Sequence, residues 1–528
     1  MALQLALKIS LVTLAWQAAL ADRYQGGGAR VVAAPSEAEA TARFWREEAR
    51  AGIRQRRPRY QASPGERARN VVFFLGDGMS MPTVAAARTL LGQRQGHTGE
   101  ESSLSFEGFP GLGLTKTYCV DSQIADSACT ATAFLCGVKN NYGTLGVTAA
   151  VPRHDCQASL DNSTHLSSIA AWALEDGRDV GIVTTTRITH ASPAGAYATS
   201  ANRNWEYDEQ ISEAGHDPAQ CPDISHQLIH GYPGHKFKVI LGGGRRSFRP
   251  RNTIDEEGKK GMRADGRDLV EEWRTDKFAR NASYEFVWNR EQLMSLDPPP
   301  EYLLGLFESN HMQYHLQADK TSEPTLTELT EVAIKSLSRN EKGFFLFVES
   351  GRIDHAHHDN FVHLALDETI AMSDAVARAR ELLPEDDSLV VVTADHSHVM
   401  AFNGETRRGG DILGVSDDLD SNGVPYMTLS YSNGPGARKQ VEGVRTDVRS
   451  EADYVTSAVH FQAWYGMAES HADVPHDLWL TTACFAVSSL TSRGVTQGLT
   501  LNLPETCSFT LKEHVSARAS CRTNNIST

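Results

Sequence analysis

The chain lacks an excess of positive charge, a second long apolar run, and the familiar short signatures of nucleotide binding. Its 51 Lys and Arg are outnumbered by 66 Asp and Glu, for a net charge of −15. Nucleic acids and anionic membranes recruit basic patches, so neither is expected as a partner. An anionic substrate would need a locally positive centre, which metal ions can supply. Beyond residue 21 no stretch approaches the roughly 18 continuous apolar residues that a spanning helix needs. The glycines 242–244 lack the G-x-x-x-x-G-K pattern of a phosphate loop and read as a turn after a strand. No G-x-S-x-G elbow is present, which argues against a hydrolase triad of that type. Internal repeats and long low-complexity segments are missing too.

What is present begins with an export signal. Residues 1–21 are apolar, carry one Lys and end in A-L-A, a small-x-small cleavage pattern. Export makes the eight cysteines potential disulfide partners and gives meaning to the sequons at Asn162, Asn281 and Asn525. Residues 22–68 hold one expected helix around "AEATARFWREEARAGIRQ", with too few apolar positions for a core element, hence an arm or surface helix. From residue 69 the pattern is α/β. "NVVFFLGDGMS", "RDVGIVTTTRITHAS", "FKVILGGGRR", "GFFLFVES" and "SLVVVTADHSH" are apolar strands ending in polar or Gly residues. Helical stretches such as "SSIAAWALEDG", "LTELTEVAIKSLSR" and "LALDETIAMSDAVARARELL" lie between them. Continuous apolar strands alternating with helices indicate a mostly parallel central sheet flanked by helices on both faces. The polar stretch 401–450 reads as a small loop-rich insertion.

Ligands of such sheets bind at the carboxyl ends of the strands. Those ends carry Asp77, His190 with Ser192, Glu349 with Asp354, and Asp395 with His396. Behind one of them, "FVESGRIDHAHHDN" packs three imidazoles and three carboxylates into residues 347–360. Asp354 and His358, spaced i, i+4, share one face of a helical turn. Imidazole and carboxylate without paired thiolates suit an open catalytic zinc site. Asp395 and His396 suit a second metal, with Asp77 as a bridge. Two metals about 4 Å apart recur in phosphoryl transfer, one activating the nucleophile and one stabilising the leaving oxygen. The oxygens of Glu349 and Ser192 suit a harder third ion such as magnesium. Each piece alone also has a plainer reading: a surface cluster, a strand-end cap, a turn Asp. The nucleophile candidate is Ser127 in "DSQIADSACTATAFLCG", at a helix N-terminus whose free N–H groups favour phosphate. There either Asp126 or Ser127 also serves as a simple N-cap.

These segments, with "DSACTATAFLCGVK", "VTTTRITHASPAGAYA", "NRNW", "ILGGGRR" and "VTADHSHV", resemble those of animal alkaline phosphatases, most closely the insect membrane-type enzymes, over about residues 40–459. The resemblance implies a phosphate monoester hydrolase acting at alkaline pH through a phosphoserine at Ser127. Arg203 matches the arginine that clamps phosphate. Asp395 and His396 match ligands of the zinc that activates the serine, with Asp77 shared with magnesium. Asp354 and His358 match ligands of the second zinc, and Ser192, Glu349 and, through water, His190 match the magnesium site. Phe307, Glu308 and Glu323 are counterparts of a vertebrate-type calcium site. Cys156 and Cys221 match the family's disulfide, and the N-terminal helix matches an arm that embraces a second subunit in a homodimer.

After Val459 the resemblance stops. The family's last zinc histidine, in a Thr-His-Gly-Gly-like stretch, is expected a few residues on, but the chain reads "HFQAWYGMAESHADVPHDLWL". His471 stands about four residues late and without the glycines. Neither the expected following strand nor a lipid-anchor signal is visible, although family members are lipid-anchored. Plausible codons for 460–493, read in another frame, give "HGGE", "PVAH" and "QQSHIA" in the family's order, so residues 460–528 are read as out of frame. The resulting alternative is a catalytically impaired relative with an incomplete zinc site. A diesterase or sulfatase reading ranks last, since no Cys/Ser-x-Pro-x-Arg motif surrounds Ser127.

Overall fold

A computed structural model describes residues 37–56, residues 68–435 apart from 110, 386, 421 and 433, and a strand at 486–489. The described residues include thirteen strands, β1 (Asn70–Gly76), β2 (Gly111–Gly113), β3 (Asp179–Arg187), β4 (Val239–Gly243), β5 (Tyr284–Val287), β6 (Tyr302–Leu306), β7 (Phe344–Ser350), β8 (Ser388–Ala394), β9 (Met400–Phe402), β10 (Val415–Leu419), β11 (Pro425–Met427), β12 (Leu429–Tyr431) and β13 (Ala486–Ser489). Nine of them form one sheet in the order β2-β13-β8-β1-β7-β3-β4-β6-β5. From β8 to β5 every pairing is parallel; β13 runs antiparallel to both β8 and β2.

Every residue of β1, β7 and β8 is buried, because helices cover both faces. Side chains alternate between faces along a strand, and the two cores divide accordingly. Val72 and Phe74 of β1, Leu346 and Val348 of β7, and Val390 and Val392 of β8 enter one cluster. Val71, Phe73 and Leu75, Phe345 and Phe347, and Leu389 and Val391 enter the other. Each such side chain contributes about 1.5–3 kcal/mol on burial. The helices used below are α1 (Ala42–Arg56), α2 (Met81–Arg94), α3 (Ser127–Cys136), α4 (Ile169–Glu175), α5 (Ala191–Ala194), α6 (Leu326–Leu337), α7 (Arg352–His358) and α8 (Val362–Leu382). Residues of α2, α6 and α8 line the first cluster, and those of α3 and α4 the second.

Three expectations change. Helix α1 lies on the surface but is anchored: Trp45 is buried in the second cluster and its indole N–H donates to the Glu39 carbonyl at 2.8 Å. The stretch expected to be loop-rich carries, in its described part, two antiparallel ribbons, β9 with β12 and β10 with β11. The tail, where no strand was expected, supplies β13; the short run "AVSS" covers the edge that β8 would otherwise leave unpaired. His471 and Asn525 lie outside the described residues. Among those described, no helix is long and apolar enough to cross a membrane.

Candidate active site

Sheet order puts β8, β1, β7 and β3 side by side, so their carboxyl ends form one edge. The registers are level: Leu75 faces Glu349 and Thr393, Gly76 faces Ser350 and Ala394, and Thr184 faces Glu349. Asp77 and Asp395 therefore arrive level, each just past its strand, with Glu349 two residues lower on the neighbouring strand β7. After β3, His190 stands just before the short helix α5 and Ser192 inside it, and after β7 the turn α7 carries Asp354 and His358. Helix α3 brings Ser127. Asp126 caps it by accepting from the Cys129 N–H, the small residues that follow let it pack closely, and Gly137 ends it at φ 70°, where glycine is favoured.

Among the described residues, three sets of buried N and O donors have ligand atoms within 4.8 Å of one another: Asp77, Asp395 and His396; Asp354, His396 and His398; Asp77, His190 and Glu349. A fourth, Cys119, Asp126 and Cys129, has its sulfurs joined in a disulfide. Ser127 Oγ lies 3.2 Å from His396 Nε2 and donates toward Asp77 Oδ1 at 3.4 Å. Ser192 Oγ reaches Asp77 Oδ2 at 3.3 Å. His358 Nε2 is 3.4 Å from Asp354 Oδ2. Arg203 is anchored by Nη1 to Asp126 Oδ2 at 3.0 Å, with Nη2 3.2 Å from His190 Nε2. The site residues expected from the sequence within the described range thus converge: Asp77, Ser127, His190, Ser192, Arg203, Glu349, Asp354, His358, Asp395 and His396.

Several neighbours were not expected. His398 Nε2 lies 2.8 Å from Asp354 Oδ1. Thr130 Oγ1 donates to Asp395 Oδ2 at 3.1 Å, and Thr184 and Thr186 both hydrogen-bond Glu349 Oε2. His398 had a visible signal, standing two places after His396 off the same strand. The threonines had none: Thr184 and Thr186 look like any other β-branched strand residues, and Thr130 like one more small residue of α3.

The electrostatics show what this edge is short of. Burial, then the charges of Asp395, Asp354 and Glu349, push the Asp77 carboxyl well above its ordinary range, with Arg203 pulling the other way. Burial pushes Glu349 up to about 7 despite the hydroxyls of Thr184, Ser192 and Thr186. Asp354 is the exception: burial would raise it, but His358, His398 and His396 outweigh that and hold it well below the carboxylate range. Burial, followed by the charges of Arg203 and His355, drives His190 well below the usual imidazole value and keeps it neutral, the form that binds metals. Glu349 Oε1 and His190 Nδ1 have no hydrogen-bond partner among the described residues. Buried acids that repel one another, beside neutral imidazoles and unsatisfied donor atoms, fit bound cations.

The family model for alkaline phosphatase matches residues 68–478. This chain belongs to the alkaline phosphatase family. The membrane-bound alkaline phosphatase of Bombyx mori is 61% identical over 464 residues, 86% of this chain and 82% of that protein. The human tissue-nonspecific isozyme is 44% identical over 425 residues, 79% of each chain. Among solved structures, Thermus thermophilus alkaline phosphatase is similar with a TM-score of 0.52 and 29% identity, covering 66% of this chain and 64% of that one. A magnesium-bound variant of TAB5 alkaline phosphatase, at 18% identity and a TM-score of 0.52, shares the fold over 81% of this chain and 92% of its own. The chain is a hydrolase of the alkaline phosphatase type. The family match runs on past Val459 and takes in His471.

The structure forms the Cys156–Cys221 disulfide and also a Cys119–Cys129 disulfide, which the resemblance did not imply.

Proposed function

We propose that the chain hydrolyses phosphate monoesters at alkaline pH by way of a phosphoserine at Ser127. The observation that carries this reading is the contact of Ser127 Oγ with both His396 and Asp77, inside a cluster of buried acids that repel one another. Two zinc ions and one magnesium fit the donors: Asp77, Asp395 and His396 for the first zinc, Asp354 and His358 for the second, and Asp77, Ser192 and Glu349, with His190 nearby, for magnesium. When bound, such ions lower the pKa of coordinated hydroxyls and water and offset charge on the leaving oxygen.

Arg203, held by Asp126, presents its guanidinium to two of the three phosphate oxygens not involved in bond exchange, for which a planar fork is well shaped. Ser127 Oγ attacks phosphorus as the ester oxygen departs and takes up a proton. Water then attacks the phosphoserine, returning the free hydroxyl and releasing inorganic phosphate. The neutral imidazole of His190 beside Arg203 keeps that edge from carrying a second full positive charge.

Further assignments rest on the same reading. Glu323 Oε2 has no partner among the described residues, and burial followed by the charges of Glu308 and Glu257 pushes its carboxyl up to about 8, which suits a calcium ion with Phe307 and Glu308. Asn162 and Asn281 are exposed and open to glycosylation. The protein is exported, acts at the extracellular face of the membrane or in free form, and pairs as a homodimer through its N-terminal helix. His471 is the candidate for the last zinc ligand within the family match. Metal analysis and sedimentation of the purified chain check ion count and dimer. The mechanism is tested by acid-quenching the chain with labelled phosphate and mapping the phosphopeptide. Label on the peptide containing Ser127 is expected; label elsewhere, or none on a metal-loaded chain, would sink the reading.

A further inference from the structure

The segment leading to the nucleophile has no ladder of its own. From Leu114 to Asp126, between β2 and α3, the backbone is irregular, and irregular backbone depends on individual attachments for its place. Lys139 Nζ donates to the Lys116 carbonyl at 2.9 Å and the Tyr118 carbonyl at 2.6 Å. Val120 N–H donates to Asn140 O at 2.9 Å, and Tyr142 N–H to Asp121 Oδ1 at 2.8 Å. One further attachment is covalent. Cys119 is bonded to Cys129 with a Cα separation of 5.8 Å, inside the ordinary range for a disulfide.

Cys129 stands two residues past Ser127, in the first turn of α3. Its N–H donates to Asp126 Oδ1 at 3.2 Å, and the same carboxylate takes Gly143 N–H at 2.9 Å and Arg203 Nη1 at 3.0 Å. The next residue, Thr130, reaches Asp395. The loop closed by this bond therefore runs through Ser127, and the bridged turn is the one from which Asp126 sets Arg203. Both sulfur-bearing residues are buried, packed with Ala125 and against Tyr142.

We propose that Cys119 and Cys129 are a positioning pair for phosphoryl transfer, holding the first turn of α3 so that Ser127 and the Asp126–Arg203 pair keep one fixed relation. The proposal rests on the roles given above to Ser127 and Arg203. Cys156–Cys221 provides the contrast. It closes a separation of 65 residues rather than 10, in a separate cluster around Val151 and Trp205. Cross-linking a longer loop removes more freedom from the unfolded chain, so that bond serves the stability of the whole fold. The shorter one orders the turn at the nucleophile.

The test compares two double variants of the full chain, Cys119→Ala with Cys129→Ala and Cys156→Ala with Cys221→Ala, each loaded with zinc and magnesium. Metal content, thermal midpoint, and the separate rates of Ser127 phosphorylation and dephosphorylation are measured. Loss of Cys119–Cys129 is expected to leave metal content intact and lower the midpoint by less than loss of the other bond. Its phosphorylation rate is expected to fall about tenfold or more, in keeping with the sensitivity of near-attack geometry to small displacements. The second variant is expected to phosphorylate at the parent rate well below its midpoint. Wild-type phosphorylation without Cys119–Cys129, or losses in both variants that merely follow their midpoints, would overturn the proposal. Should the first variant not fold, graded reduction of the native chain with alkylation mapping replaces it. Phosphorylation must then decline in step with opening of Cys119–Cys129, and a decline that follows only Cys156–Cys221 refutes the idea. Failure of the unaltered chain to phosphorylate Ser127 would instead defeat the function proposed above.

Discussion

His398 shows how much one side chain decides at this edge. It leaves β8 beside His396, yet its Nε2 lies 2.8 Å from Asp354 Oδ1 on the far side of the cluster, so it fixes the orientation of a carboxylate read here as a zinc ligand. Partners that orient metal ligands are worth about 10- to 100-fold in affinity. His398→Ala is therefore expected to weaken zinc binding by about that factor while leaving Ser127 and Arg203 in place; chelator competition measures it, and unchanged zinc affinity would show that His398 does no more than fill space. At this scale the sequence was legible wherever a chemically distinctive residue followed an apolar run, as Asp77, Glu349 and Asp395 do. It was silent on Thr130, Thr184 and Thr186, whose hydroxyls become partners only once the fold brings distant strands and helix α3 together.

At the scale of elements, the turn between β1 and α2 carries a strict steric condition. Gly78 has φ +65°, and a Cβ there would lie 2.5 Å from His398 Cδ2 and 3.1 Å from Asp354 Oδ1. Gly78→Ala thus combines left-handed backbone strain with pressure on a buried ring that has nowhere to go. A loss of about 1–3 kcal/mol in stability is expected together with lowered zinc occupancy; denaturant unfolding and metal analysis read the two effects, and a variant with parent-like values for both contradicts the geometry. The long parallel strands could be read from the sequence because both faces are buried, which makes them continuous apolar runs. Strands such as β2, β5 and β9–β13 could not: each has five residues or fewer, too short to display a period. Helix α1 was read as peripheral from its few apolar positions, but two of them, Trp45 and Ala49, fall one turn apart and are buried.

For the whole molecule, the crowded acids make stability depend on bound cations. In a chelated chain, Asp77 and Glu349 have folded pKa values above their unfolded ones, Glu349 at about 7. The folded state then holds protons that the unfolded chain releases, so stability falls as pH rises from the ordinary carboxylate range toward about 7. The metal-loaded chain, with those carboxylates ionised and neutralised, should not show this loss. Thermal midpoints with and without chelator are expected to diverge as pH rises; parallel curves would mean that these acids do not face cations. The same picture bears on the tail. The family match extends to residue 478, yet residues 460–528 lack the family's Thr-His-Gly-Gly-like stretch; we propose that a shifted reading frame accounts for this, and codons that give no family-like sequence in either other frame would end the idea.

Metal-dependent turnover through Ser127 is what the arrangement at the sheet edge predicts. Its most direct measurement is hydrolysis of a chromogenic phosphate monoester by the purified chain, from neutral to alkaline pH with zinc and magnesium, beside Ser127→Ala. The expected result is turnover that rises toward alkaline pH and drops by about 10³-fold or more in the variant. Turnover that survives the loss of Ser127, or no turnover from a folded chain carrying its metals, would contradict the account.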